Sequence, residues 1–186
     1  MNINQNIKDA IKASVGIIAI VTLITVGAEI YKAATNSETE EVYGFITFAL
    51  TLHEDFDENE AKDDILDLID IISSAQTEDY QEIYSLVSRE SRLIRYYKES
   101  FYLLISPTDE MWAIKESLIE EASLFLMSCS RLREALESKV VDDDYNAYLL
   151  NIEEATQYLD DALNLRIENR AELDRWKTEI EAELSD

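Results

Sequence analysis

An all-α helical bundle with an N-terminal hydrophobic helix and a long C-terminal helix is the fold class the sequence predicts, and three observations predict it. Residues that punctuate turns and β-hairpins are nearly missing, with three glycines (Gly16, Gly27, Gly44) and one proline (Pro107) in 186 residues. Apolar side chains recur at the three-and-four spacing of a helix face through much of the chain. A hydrophobic content of 47% over this length can close one sizeable core. The expected division is a membrane-anchor helix over 1–35, an acidic helical bundle over 36–141 and a long C-terminal helix over 142–186.

The first element is carried by "KASVGIIAIVTLITVGAEIY", Lys12 to Tyr31. Sixteen consecutive residues from Ala13 to Ala28 lack a charge, and as an α-helix they would extend roughly 24 Å. The hydrocarbon core of a bilayer is about 30 Å thick, a gap that the stem of Lys12 and the side chains of Ile30 and Tyr31 can close. Val15, Ile17, Ile18, Ile20, Val21, Leu23, Ile24 and Val26 would surround such a helix on every side, leaving no polar stripe. The hydroxyls of Ser14, Thr22 and Thr25 can bond back to carbonyls of the preceding turn. The expectation is a single membrane span with these residues facing lipid, against the alternative of a helix buried in a soluble core. Lys8 and Lys12 before the run, with Val26-Gly27-Ala28 after it, also fit a signal peptide; the reading taken forward is a retained anchor.

Flanking charge sets the expected orientation. Lys8, Lys12 and the amino terminus outweigh Asp9 before the run, whereas Lys32 stands among Glu29, Glu38, Glu40 and Glu41 after it, so the N-terminus is expected in the cytoplasm. Residues 1–32 hold three lysines against two acids, so of the net charge of −24 the remaining residues carry −25, expected outside the cytoplasm. Such a charge excludes generic attraction to nucleic acid or anionic lipid, and no direct nucleic-acid partner is expected.

Five more helices are expected. Ser37 and Glu40 have capping-box spacing, and the helix they open carries the dense apolar run "VYGFITFAL", Val42 to Leu50. Asp57 or Asn59 would cap the next, with Ile65, Leu66, Leu68, Ile69, Ile71 and Ile72. From Thr77, the residues Tyr80, Ile83, Tyr84, Val87, Ile94, Tyr97, Phe101, Leu104 and Ile105 trace one buried face. Ser106-Pro107-Thr108 breaks the chain, because proline removes a backbone donor and disfavours helix in the residue before it. Thr108 caps a helix through Met111, Ile114, Leu118, Ala122, Phe125, Cys129, Leu132 and Leu136. After a break over 140–144, Leu149, Ile152, Thr156, Leu159 and Leu163 suggest a heptad-like seam continuing through Leu173, Trp176 and Ile180. This last helix reaches roughly 60 Å, longer than a bundle needs. Leu165, Leu173, Trp176 and Ile180 are therefore expected to bind another protein or a second copy of the chain.

The chemical inventory is thin. "DDDYNAYLLNIE" places Asp142, Asp144, Asn146 and Glu153 at positions 1, 3, 5 and 12 of a calcium loop, but Ala147 stands where the sharp turn needs glycine. Aspartates at the positive end of a helix dipole explain the same residues. His53 is the only histidine, which leaves zinc and di-iron readings without ligands. Cys129 is the only cysteine and reads as a small buried hydrophobe. Arg89, Arg92, Arg95 and Lys98 fan around a helix and are expected to pair with neighbouring acids. No P-loop, Gly-x-Ser-x-Gly or Gly-x-Gly-x-x-Gly motif is present. The expectation is a non-catalytic, membrane-anchored scaffold or accessory subunit with no metal, cofactor or catalytic residue. The alternative is a soluble acidic inhibitor that imitates nucleic acid and binds a DNA- or RNA-binding protein.

Overall fold

The computed structural model describes residues 38–58, 61–76 and 79–185. Among them the chain is all-helical, with α1 at Glu38–Glu58, α2 at Ala61–Ser74, α3 at Tyr80–Leu103, α4 at Asp109–Val140 and α5 at Tyr145–Ser185. The expected membrane span, and the caps at Ser37, Asn59 and Thr77, lie outside the described residues. No helix among the described residues is long and apolar enough to cross a membrane.

The ends of these helices follow from local chemistry. Leu104 turns out of α3 into extended backbone at φ −61°, ψ 127°, and its amide still donates to the Phe101 carbonyl at 3.1 Å. The Thr108 hydroxyl oxygen then accepts the Met111 amide at 3.1 Å and starts α4, as its position predicts. Asp144 starts α5 by accepting the Asn146 and Ala147 amides at 3.1 and 3.0 Å. Its carboxylate therefore serves as a helix cap at the place where a calcium loop was weighed. Asp57 behaves differently from expectation: α1 runs through it, and its carboxylate accepts from Arg166 of α5. Asp79, at the entry of α3, makes no side-chain cap and instead accepts the Gln76 amide at 3.0 Å.

α4 and α5 form the central pair, α3 packs on α4, α1 lies mainly against α5, and α2 bridges α3 and α4. α4 and α5 run antiparallel, since Ser117 meets Asn169 and Arg131 meets Glu154. α1 is antiparallel to α5, with Asp57 on Arg166 and Tyr43 on Glu181. The start of α1, the end of α5 and the α3–α4 connection therefore share one end of the bundle. At its centre Phe56 meets Tyr97 edge-to-face and Phe125 at a tilt, with ring centroids 5.0 and 4.9 Å away.

Burial follows the expected stripes with three corrections. In α2, Ile65, Leu68 and Ile72 are buried, but Leu66 and Ile71 face solvent. Ile105 is exposed, because α3 has already ended. In α5 the expected Leu159, Leu173 and Ile180 are buried, but three other covered positions lie one residue before the expected Leu149, Thr156 and Leu163. Its buried positions are Tyr148, Ala155, Leu159, Ala162, Arg166, Asn169, Leu173 and Ile180, while Leu149 and Thr156 are exposed and Leu163 is half-buried. Small Ala155 and Ala162 lie fully covered against the partner helices, where leucine would hold the backbones apart.

Candidate functional site

The polar feature that stands out is a cluster inside the bundle joining α1, α4 and α5. Glu121, on α4, lies on the inner face one residue from Ala122 and four from Phe125, and is 2% exposed. Arg166, on α5, reaches it from the seam and donates from Nη1 to Glu121 Oε1 at 2.7 Å. The same guanidinium donates to the His53 carbonyl at 2.6 Å and to Asp57 Oδ1 at 2.9 Å, both on α1. Its flat face covers the Phe56 ring at 4.6 Å. Asn169 donates to Glu121 Oε2 at 2.9 Å and accepts the Ser117 hydroxyl at 2.6 Å. His53 Nε2 sits 3.3 Å from Glu121 Oε2, poorly aligned for a hydrogen bond, and its ring meets Phe101 edge-on at 6.2 Å.

The electrostatics of the cluster are set by competition. Burial pushes the Glu121 carboxyl up, but the His53 ring, the Arg166 guanidinium and the Asn169 amide together hold it below its ordinary value. Glu90, buried on α3, goes the other way: desolvation raises it, and its bond from Arg89 Nε at 2.7 Å offsets that only in part. Cys129 is wholly buried, and desolvation pushes its thiol up to about 12. That thiol has almost no thiolate at neutral pH, which is the reactivity of a core residue.

Chemically the cluster is a clamp. Glu121, Arg166 and Asn169 are each committed to fixed partners on neighbouring helices, and the Ser117 hydroxyl donates to Asn169. Only Asp57 reaches well into solvent. Among the described residues no group of three or more histidine, cysteine, aspartate and glutamate side chains is arranged to hold a metal ion. Of the basic residues on α3, Arg89 pairs with Asp64 at 3.2 Å and with Glu90, and Arg92 donates to the Ser88 carbonyl.

The C-terminal residues expected to meet another protein divide into two groups. Leu173 is fully buried and Ile180 is 9% exposed within the single chain, covered by the chain's own helices. Leu165 and Trp176 are half-buried. Trp176 forms one wall of an open groove of about 360 Å³, with Glu110, Ala113, Ile114 and Ser117 of α4 and Glu172 of α5.

Glu121, Arg166 and Asn169 were not singled out from the sequence. The signal was nevertheless present, since Ile152, Leu159, Arg166, Leu173 and Ile180 recur at intervals of seven. Extending that repeat through Arg166 puts a charge in a buried seam, and a buried charge needs a partner. No family model, no curated protein and no solved structure matches this chain.

Proposed function

We propose that this chain is a non-catalytic helical scaffold or accessory subunit of a larger protein assembly, held to a membrane by one span with its N-terminus in the cytoplasm and its acidic bundle outside. The observation that carries the reading is the run of sixteen uncharged residues from Ala13 to Ala28, flanked by lysines, in a chain whose residues 33–186 hold a charge of −25. The buried cluster supports the non-catalytic part, because its acid, amide and guanidinium are spent on joining α1, α4 and α5. A protein partner or a second copy would meet the distal part of α5 through Leu165 and Trp176, together with the exposed Ile167 and Leu184. Membrane fractionation tests the anchor: the chain should stay in the pellet through an alkaline carbonate wash, and full release into the supernatant overturns the reading.

The charge itself favours a second reading, a soluble inhibitor whose carboxylates stand in for phosphates. Under it Ala13–Ala28 is core, and the chain should form a salt-sensitive complex with a nucleic-acid-binding enzyme. Unchanged activity across a panel of such enzymes removes that reading.

A further inference from the structure

The α3–α4 corner exposes an apolar surface that the bundle does not use. Tyr102, Leu103, Ile105 and Trp112 are between 56 and 70% exposed. The corner is held in shape, because Lys115 Nζ donates to the Tyr102 carbonyl at 2.9 Å and to the Leu104 carbonyl at 2.6 Å. Two of the four side chains are tyrosine and tryptophan, whose rings combine an apolar body with a polar edge and are enriched where a protein meets the bilayer surface. The corner shares its end of the bundle with Glu38, where α1 begins and the apolar segment enters. Between Ala28 and Glu38 lie nine residues, which extend at most about 30 Å, so a bundle tethered by Ala13–Ala28 is confined close to the lipid with this end leading. The opposite end also exposes Val141, Tyr145, Leu149 and Leu150, but beside Asp142, Asp143 and Asp144 and far from the tether.

We propose that the Tyr102–Leu103–Ile105–Trp112 corner rests on the headgroup layer of the bilayer that holds the chain's own anchor, and so fixes the tilt of the bundle against the membrane. The exposed acids beside it, Glu99, Asp109 and Glu110, disfavour anionic lipid, so the surface it fits is zwitterionic. The inference rests on the anchor reading and deepens it.

The test uses the full chain reconstituted into phosphatidylcholine vesicles, with a matched set brominated on the acyl chains near the headgroups. Co-flotation reports the anchor, and tryptophan quenching by bromine reports the corner. The expected result is co-flotation with a quenched component that disappears in Trp112→Phe. That component should also be lost in Leu103→Asp combined with Ile105→Asp, which still floats, and should be kept in Leu150→Asp at the far end. Co-flotation with Trp112 unquenched overturns the corner and leaves the anchor standing, whereas failure to float overturns both. Trp112 shielded from bromine in proportion to protein concentration assigns the corner to a second copy and overturns the lipid surface. Circular dichroism of the aspartate variants confirms that the helices are kept.

Discussion

Arg166 occupies a position in the α5 seam where Leu159 and Leu173, one heptad to either side, are apolar and almost wholly covered. A guanidinium there is tolerable only while Glu121, Asp57 and the His53 carbonyl share its charge. Removing one member of such a pair leaves the other stranded, so Glu121→Ala should cost about 3 to 5 kcal/mol in urea unfolding. Replacing both ions by apolar side chains removes the desolvation penalty as well, and Glu121→Leu with Arg166→Met should cost less than Glu121→Ala alone. The two buried carboxylates also give opposite pH dependences. Glu121 is held below its ordinary value of 4.5, so its stabilisation is fully present above that value and is lost as pH falls through the folded value. Glu121→Gln should therefore flatten the acid limb of stability against pH. Glu90 is raised, so it weakens the fold at neutral pH and the penalty is relieved as pH falls toward 4.5. Glu90→Gln should stabilise at pH 7 and lose that advantage in acid, a crossing that unfolding curves at several pH values will reveal.

The helices differ in how plainly their sequences declare them. α4 was legible down to its cap, because Thr108 follows Pro107 and large apolar residues repeat without interruption from Met111 to Leu136. α3 was legible except at its end, where Ile105 continues the pattern after the backbone has left the helix. α5 was legible at Leu159, Leu173 and Ile180 but misled by one residue at three other positions. Leu149 and Leu163 are the larger side chains, but close approach to α4 is made by Ala155 and Ala162, and hydrophobicity does not reveal that smallness is what a position needs. Of the candidate cluster, Arg166 was legible from the seven-residue repeat, but Glu121 was not: in a chain with forty acidic residues, nothing local separates it from the solvated ones. Ala155→Leu should overpack the α4–α5 contact and cost about 1 to 3 kcal/mol. Asp144→Ala removes the acceptor for two amides at the start of α5 and should cost about 1 kcal/mol. Thermal unfolding followed by circular dichroism ranks the two.

For the molecule as a whole, the length of α5 is largely accounted for within one chain. Arg170 meets Glu54, Glu181 meets Tyr43, and Leu173 and Ile180 are covered along the same stretch. Leu173→Ala should then cost about 3 kcal/mol in stability and leave the oligomeric state unchanged. What remains available to a neighbour lies around Trp176 and its groove against α4. Trp176→Ala should weaken assembly by about 2 kcal/mol or more, read by sedimentation beside thermal unfolding of the same sample. A monomer of unchanged melting temperature, in both wild type and variant, removes the partner surface.

Cys129 turns the bundle into its own stopwatch. The chain has one thiol, fully covered and almost free of thiolate, so an alkylating reagent can reach it only in molecules that have opened. If opening costs 5 kcal/mol, about one molecule in several thousand is reactive at any moment, and the labelling rate counts that minority directly. A variant weakened by 3 kcal/mol should label on the order of 100-fold faster if the cluster and the cysteine open together. Equal labelling rates in Glu121→Ala and the wild type would mean that α3 and α4 part around Cys129 while α1 and α5 stay closed.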